Sequence, residues 1–322
     1  MKPILAKNIT ELIKEEYQNI TGIVISDKNE IIYENYFQGY KKEDTVHIAS
    51  VTKSIISILI GIAIDKGLIK SIQQPLIDYF PNYTLKKREK VLPHITIEQV
   101  LTMTAPYKFK YEPYTKVYAS EDWTKSALDL LGGKKLSEDF KYTTVGIQVL
   151  SGLICNATGS SVLDFATKHL FLPLEINPPK PIRIHTKDEH FAFLKNKHVH
   201  GWVTDPKGVN TSGWGICLTT RDVAKIGQLY LKEGKWNNQQ LVSSNWIQKS
   251  TITHSQWNDK SYGYLWWVIN PNTYAAIGDS GNIILVDKKL ELVIAITSSF
   301  KPRAKDRITL ITEKIIPNLH LY

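Results

Sequence analysis

Residues 47–57 read HIASVTKSIIS, a serine three positions ahead of a lysine at the head of an apolar run. The run continues as SVTKSIISILIGIAIDKGLI, Ser50 to Ile69, and stays apolar on nearly every face until Asp65. A helix that is apolar all round is one a fold buries centrally. This segment therefore predicts the helix about which the rest is packed, and Gly67 suits its C-terminal stop. Residues three apart share a helix face, so Lys53 is expected to reach the Ser50 hydroxyl. The helix N-terminus adds free N–H groups and a partial positive charge, both useful to a developing oxyanion.

A plainer alternative is that Ser50 caps the helix and Lys53 reaches out to solvent. Against it stands the cost of an ammonium inside an apolar segment, which is high unless the group is paired or functional. The same spelling recurs at Ser298–Lys301 as SSFK. There the serine ends a strand-like run and Pro302 follows the lysine, so no helical turn holds the pair. Position favours Ser50. A serine nucleophile also needs an activator, and a lysine one turn away usually needs a partner to relay protons. FKYTTVGIQVLSGLI offers Tyr142 at a loop-to-helix junction, although alone it could equally be a packed aromatic. Further on, TYAAIGDSGNIILVD places Gly278 and Gly281 between two strand-like runs, where glycine permits close approach of backbone to a ligand or simply makes a hairpin turn.

The wider pattern runs strands, helices, strands, helix. An amphipathic helix over 7–18 precedes two strands, TGIVISD and NEIIYENYF, joined by a short Asp-Lys-Asn turn. TIEQVLTM, TKSALDLLG, TTVGIQVLSGLICNAT and SVLDFATKHLF then read as helices between Pro- and Tyr-rich loops. TTRDVAKIGQLYLKEG is a further helix, followed by strand-like YGYLWWVI, TYAAIGD, GNIILVD and LELVIAITS, and a closing helix within KPRAKDRITLITEKIIPNL. This order is not that of alternating βαβ units. It predicts an α/β protein of the α+β type, an antiparallel sheet flanked by helices and built from both chain ends. Residues 1–69 and 216–322 would form the sheet domain, with 70–215 inserted as a mainly helical one.

Taken together these stretches resemble the penicillin-recognising serine hydrolases. They are most similar to the class C β-lactamase-like branch, which includes family VIII esterases and 6-aminohexanoate-dimer hydrolases. The resemblance rests on Ser50-Val-Thr-Lys53, ITIEQVLTMTAP, the long segment DFKYTTVGIQVLSGLICNATGSSVLDFATKHLFLPLEI, GWGICLTTRDVAKIGQLYLKEGKW and YAAIGDSGNIILVD, in that order. It implies a β-lactamase/transpeptidase-like fold, with Ser50 acylated, Lys53 deprotonating it and Tyr142 relaying the proton. Ala276-Ile277-Gly278 aligns with the family's Lys-Thr-Gly strand motif. The N–H groups of Asp279 and Ser50 would then form the oxyanion hole, where each donor is typically worth about 3–4 kcal/mol in the transition state. Two positions depart from the pattern. Thr144 stands where an Asn usually binds substrate, and Ala276 stands where Lys or His often holds a substrate carboxylate. The implied substrates are small esters or amides. A D-alanyl peptidase or β-lactamase, or a non-catalytic binding protein of the same fold, are the alternatives.

Other features are read more modestly. Tyr111, Trp123 and Trp214 are candidate pocket walls beside Thr144, Ala276, Ile277 and Gly278. His185, His190, His198 and His200 match no zinc spacing, and no metal or cofactor is expected. The net charge of +9 is dispersed, and the one dense cluster, KKREK at 86–90, reads as a solvated loop rather than a nucleic-acid site. Cys155 and Cys217 are too few and too distant for a disulfide framework. The N-terminus lacks a secretory apolar stretch and no run reaches the ~18 residues of a membrane span, so a cytoplasmic protein without membrane partners is expected.

Overall fold

The computed structural model describes residues 3–28, 30–184, 186–196 and 199–319. Both ends of the chain build one eight-stranded antiparallel sheet. Its order is Ile31–Tyr36, Ile20–Ser26, Leu292–Ser298, Asn282–Asp287, Thr273–Gly278, Trp267–Asn270, Lys260–Tyr262 and Ser255–Trp257. The N-terminal hairpin completes the C-terminal sheet, Ile23 lying opposite Ile296 and Ile25 opposite Ile294. The turn expected to join that hairpin includes Asn29, which lies outside the described residues. All the strands of this sheet come from residues 20–36 and 255–298, and the helical segments between 70 and 215 contribute none.

Both faces of the sheet are covered, which is why its strands read as nearly continuous apolar runs. Ile283, Leu285, Ile294 and Ile296 face the helix Pro3–Glu16 and the C-terminal helix, which runs on from Arg307 to Asn318. Ile284, Val286, Val293 and Ala295 face the other way, into the main core. The first helix ends earlier than its apolar period suggests, because Tyr17 to Asn19 turn the chain into the sheet and Asn19 bonds the carbonyls of Ser280 and Ser299.

The central helix is Val51–Asp65, with every residue from Val51 to Ala63 buried. Burial of each of its isoleucines contributes roughly 1.5–3 kcal/mol, which outweighs the modest helix propensity of β-branched residues. Gly61 sits mid-helix because a Cβ there would lie 2.4 Å from the Trp246 indole. Past the last turn Gly67 adopts φ +71° and its N–H bonds the Ile64 carbonyl, ending the helix as its sequence predicts. Short strands Thr45–His47 and Cys217–Thr219 pair next to the helix start and fix the approach to Ser50.

The run YGYLWWVI is not one strand. Lys260–Tyr262 and Trp267–Asn270 are separate strands of a hairpin, and Leu265 between them takes a left-handed φ of +62°. Continuous hydrophobicity hid this turn, since Tyr262, Tyr264, Leu265 and Trp266 are all buried. Both cysteines are free, and burial pushes the Cys155 thiol up to about 11 and Cys217 up to about 12. No single helix among the described residues is long and apolar enough to cross a membrane.

Candidate active site

The helix start settles the first ambiguity of the sequence. Ser50 has φ −71° and ψ −4°, and its hydroxyl caps nothing. It receives a hydrogen bond from Lys53 Nζ instead, at 2.8 Å. Just before it, Ala49 is held at φ +49°, a left-handed conformation that a non-glycine residue adopts only when its surroundings impose it. Lys53 does not reach solvent, being 1% exposed. Nζ also donates to Gly213 O at 2.9 Å and to Thr144 Oγ1 at 3.2 Å. Three neutral oxygens therefore surround Nζ. The competing Ser298 has no such partner. Its hydroxyl donates to Gly281 O, while Lys301 uses its backbone N–H on Ser280 Oγ.

The end of the Thr273–Gly278 strand lies against Ser50. A Cβ on Gly278 would stand 2.5 Å from Ile48 O and 3.1 Å from Ser50 N, so only glycine allows the two backbones to touch. Asp279 follows directly and lines the cavity together with Ser50. The other two positions of the aligned motif do not face the cavity. Ala276 is 1% exposed within the main core, and Ile277 points to the opposite face of the sheet against the second cluster. Period-two alternation turns Ile277 to the far face, while Ala276, on the same face as Gly278, is covered by the main core.

Tyr142 lies beside Lys53, its ring centroid 4.8 Å from Nζ and stacked on Trp267. Its hydroxyl makes no hydrogen bond among the described residues, so the resting contact is through the ring. Thr144 occupies the place where its side chain accepts from Lys53. Tyr111 is 79% exposed and lies outside the cavity, its ring beneath Lys110 instead. Trp123 and Trp214 do line it.

One residue was not legible in the sequence. A single oxygen of Glu112 accepts from the hydroxyl of Thr143 and from the N–H groups of Thr144 and Val145, the last at 2.7 Å. This carboxylate holds the turn that presents Thr144 to Lys53, and beyond Pro113 the chain enters the cavity wall at Tyr114 and Thr115. Hydrogen bonds to a charged acceptor contribute about 1.5–3 kcal/mol each. Glu112→Ala is expected to lower kcat/KM roughly ten-fold or more, and Glu112→Gln, which keeps an acceptor oxygen, to recover most of it. Steady-state ester kinetics with thermal melts checks this; an unchanged kcat/KM in Glu112→Ala would remove Glu112 from the site.

The cavity over Ser50 has a volume of about 650 Å³. Its walls include Tyr114, Tyr118, Trp214 and, from the helix Lys187–Lys195, His190 and Phe193. Tyr118 and Trp214 meet edge to face at 5.4 Å, and His190 lies 4.6 Å from Trp214. His47, whose Nε2 accepts from the Gly215 N–H, is pulled down to about 3 by burial and by His190. Burial also lowers His190. Neither imidazole therefore carries charge near neutral pH, and Asp279 is the one acidic or basic side chain among the described lining residues besides them. His200 points away, to Pro178 O, and His185 and His198 lie outside the described residues. No group of metal-ligating side chains forms among the described residues.

A model of the family described as Beta-lactamase matches residues 6–315. The chain belongs to the Beta-lactamase family. Among curated relatives it is 23% identical to a 6-aminohexanoate-dimer hydrolase of Paenarthrobacter ureafaciens, over 92% of this chain and 76% of that one. Its fold is that of a family VIII carboxylesterase, with TM-score 0.71, 14% identity, and 98% and 96% of the two chains covered. It is likewise that of the octameric penicillin-binding protein homologue from Pyrococcus abyssi, with TM-score 0.68, 20% identity, and 96% and 76% covered. Membership makes this chain a hydrolase of the β-lactamase fold, with the long antiparallel sheet and central helix that the sequence predicts.

Proposed function

We propose that the protein is a serine hydrolase that cleaves small esters or amides through an acyl-enzyme on Ser50. The observation that carries this reading is the 2.8 Å contact between Lys53 Nζ and Ser50 Oγ at the floor of the cavity, with a hydroxyl that caps nothing. For acylation Lys53 acts as the neutral amine and takes the Ser50 proton as Oγ attacks the carbonyl carbon. The carbonyl oxygen becomes an oxyanion held by the N–H groups of Ser50 and Asp279. Collapse breaks the bond to the leaving oxygen or nitrogen, which receives the proton through Lys53 and Tyr142. Water then attacks the acyl carbon, and Ser50 leaves with its proton restored.

The substrate's carboxylate, where it has one, meets no lysine or arginine among the described residues that line the cavity. A charge-assisted contact there contributes about 1.5–3 kcal/mol, so its absence weakens penicillin-like acids roughly ten- to a hundred-fold. Neutral acyl groups lose nothing, and the aromatic walls favour them. A short-chain p-nitrophenyl ester is expected to give a kcat/KM roughly ten- to a hundred-fold above that of a chromogenic cephalosporin. Equal efficiency would overturn the substrate class and favour a β-lactamase, leaving the nucleophile in place.

A further inference from the structure

Arg307, at the start of the C-terminal helix, is 3% exposed and plays no part in the chemistry above. The Tyr17 ring face lies 5.0 Å from its Cζ, a cation–π contact, but no acidic side chain holds it. No carboxylate among the described residues forms an ion pair with it: Asp306 caps its own helix at Thr309 N, and Glu16 pairs with Lys305. Burial pulls the guanidinium down to about 10, which still leaves it charged at neutral pH. It also sits at the helix N-terminus, the end where positive charge is disfavoured. An apolar side chain of similar length would suit such a place at least as well for stability alone.

What the guanidinium touches is the turn that carries Asp279. A Cβ on Gly281 would lie 2.6 Å from Arg307 Nε, so the guanidinium packs directly against that residue's backbone. Nη2 donates to Asn19 Oδ1 at 2.7 Å and Nη1 to Lys305 O at 2.8 Å, while Nε is without a partner. Asn19 in turn donates to the Ser280 carbonyl at 2.7 Å. The turn itself is strained, with Ser280 at φ +66° and Gly281 at φ +85°. Asn282 Nδ2 holds the Asp279 carbonyl and Ser298 Oγ the Gly281 carbonyl, so each carbonyl of the turn is fixed. A non-glycine residue in that conformation persists only where its surroundings over-determine it.

We infer that Arg307 and Asn19 are positioning residues for the oxyanion hole, clamping the 279–281 turn so that the Asp279 N–H stays aimed at the site. The inference rests on the acyl-enzyme reading above. Neither Arg307 nor Asn19 lines the cavity, so the pair acts through the backbone of Asp279 rather than on substrate.

The test uses the full chain and three variants, Arg307→Met, Arg307→Lys and Asn19→Ala. Two readouts are compared: ester kinetics, and inhibition by a trifluoromethyl ketone, which forms a tetrahedral oxyanion on the serine. Arg307→Met and Asn19→Ala are expected to lower kcat/KM roughly 10- to 100-fold through kcat, with KM within about three-fold of wild type. The inhibition constant of the ketone should rise by the same factor, and Arg307→Lys should fall between. Should Arg307→Met not fold, Asn19→Ala carries the comparison. A lower melting temperature with unchanged kcat and ketone affinity would overturn the inference and leave a purely structural pair. A wild type that is not labelled by a fluorophosphonate at Ser50 would overturn the acyl-enzyme reading as well.

Discussion

Ser50→Ala is expected to abolish the single adduct formed with a fluorophosphonate and to reduce ester hydrolysis by roughly ten-thousand-fold or more. Loss of a nucleophile removes the covalent route entirely, and only binding and the oxyanion donors remain. The structure makes this a clean substitution. The Ser50 hydroxyl caps no backbone group, so its removal costs the helix no hydrogen bond of its own. Only the contact from Lys53 is lost, and that lysine keeps Gly213 O and Thr144 Oγ1. Intact mass after phosphonate treatment is the measurement, and Ser298→Ala, which loses only its bond to Gly281 O, is expected still to form the adduct, if more slowly. An adduct that survives Ser50→Ala would refute the assignment.

The next largest effect is expected at Lys53 and Tyr142. A positioned base typically contributes about 10²- to 10⁴-fold, and Lys53→Met should lose about that much in single-turnover acylation. Methionine is chosen because the site is buried, although Gly213 O and Thr144 Oγ1 lose their donor and some stability is lost too. Tyr142→Phe keeps the ring beside Nζ and its stacking on Trp267, so it isolates the hydroxyl. If the two form one proton relay, the double variant is scarcely worse than the more damaging single change, because groups acting as a unit are non-additive. Losses that multiply would show independent action. Tyr142 would then be a packing residue that shields the Lys53 cation with its face, which is the contact seen at rest.

The sheet and the central helix were legible because their signals are local. Val51 to Ala63 is apolar on every face, and a helix with that pattern has nowhere to go but the middle of the molecule. The strands Ile20–Ser26, Asn282–Asp287 and Leu292–Ser298 are short β-branched runs bounded by turns, and the order of elements excludes a parallel sheet. Ser50 and Lys53 share a helix face by spacing alone, and Gly278 and Gly281 mark the turn beside them. These features follow from the periodicity of the chain, whatever it packs against.

Tertiary structure alone decided the rest, since it depends on which distant segments meet. Whether Ser50 caps the helix or faces a lysine turned on Gly213 and Thr144, far along the chain, which supply the acceptors that hold Nζ inward. Glu112 has no motif of its own and acquires a role only where its loop reaches the N–H groups of Thr144 and Val145. Tyr111 stands just before it and is likewise exposed, yet only Glu112 reaches the site, and no composition argument separates the two. Asn19 and Arg307 come from opposite ends of the chain and meet under the Asp279 turn because the first and last strands pair. Sequence periodicity determines which face of an element is apolar; it carries no information about which polar side chain, hundreds of residues away, closes the remaining hydrogen bonds.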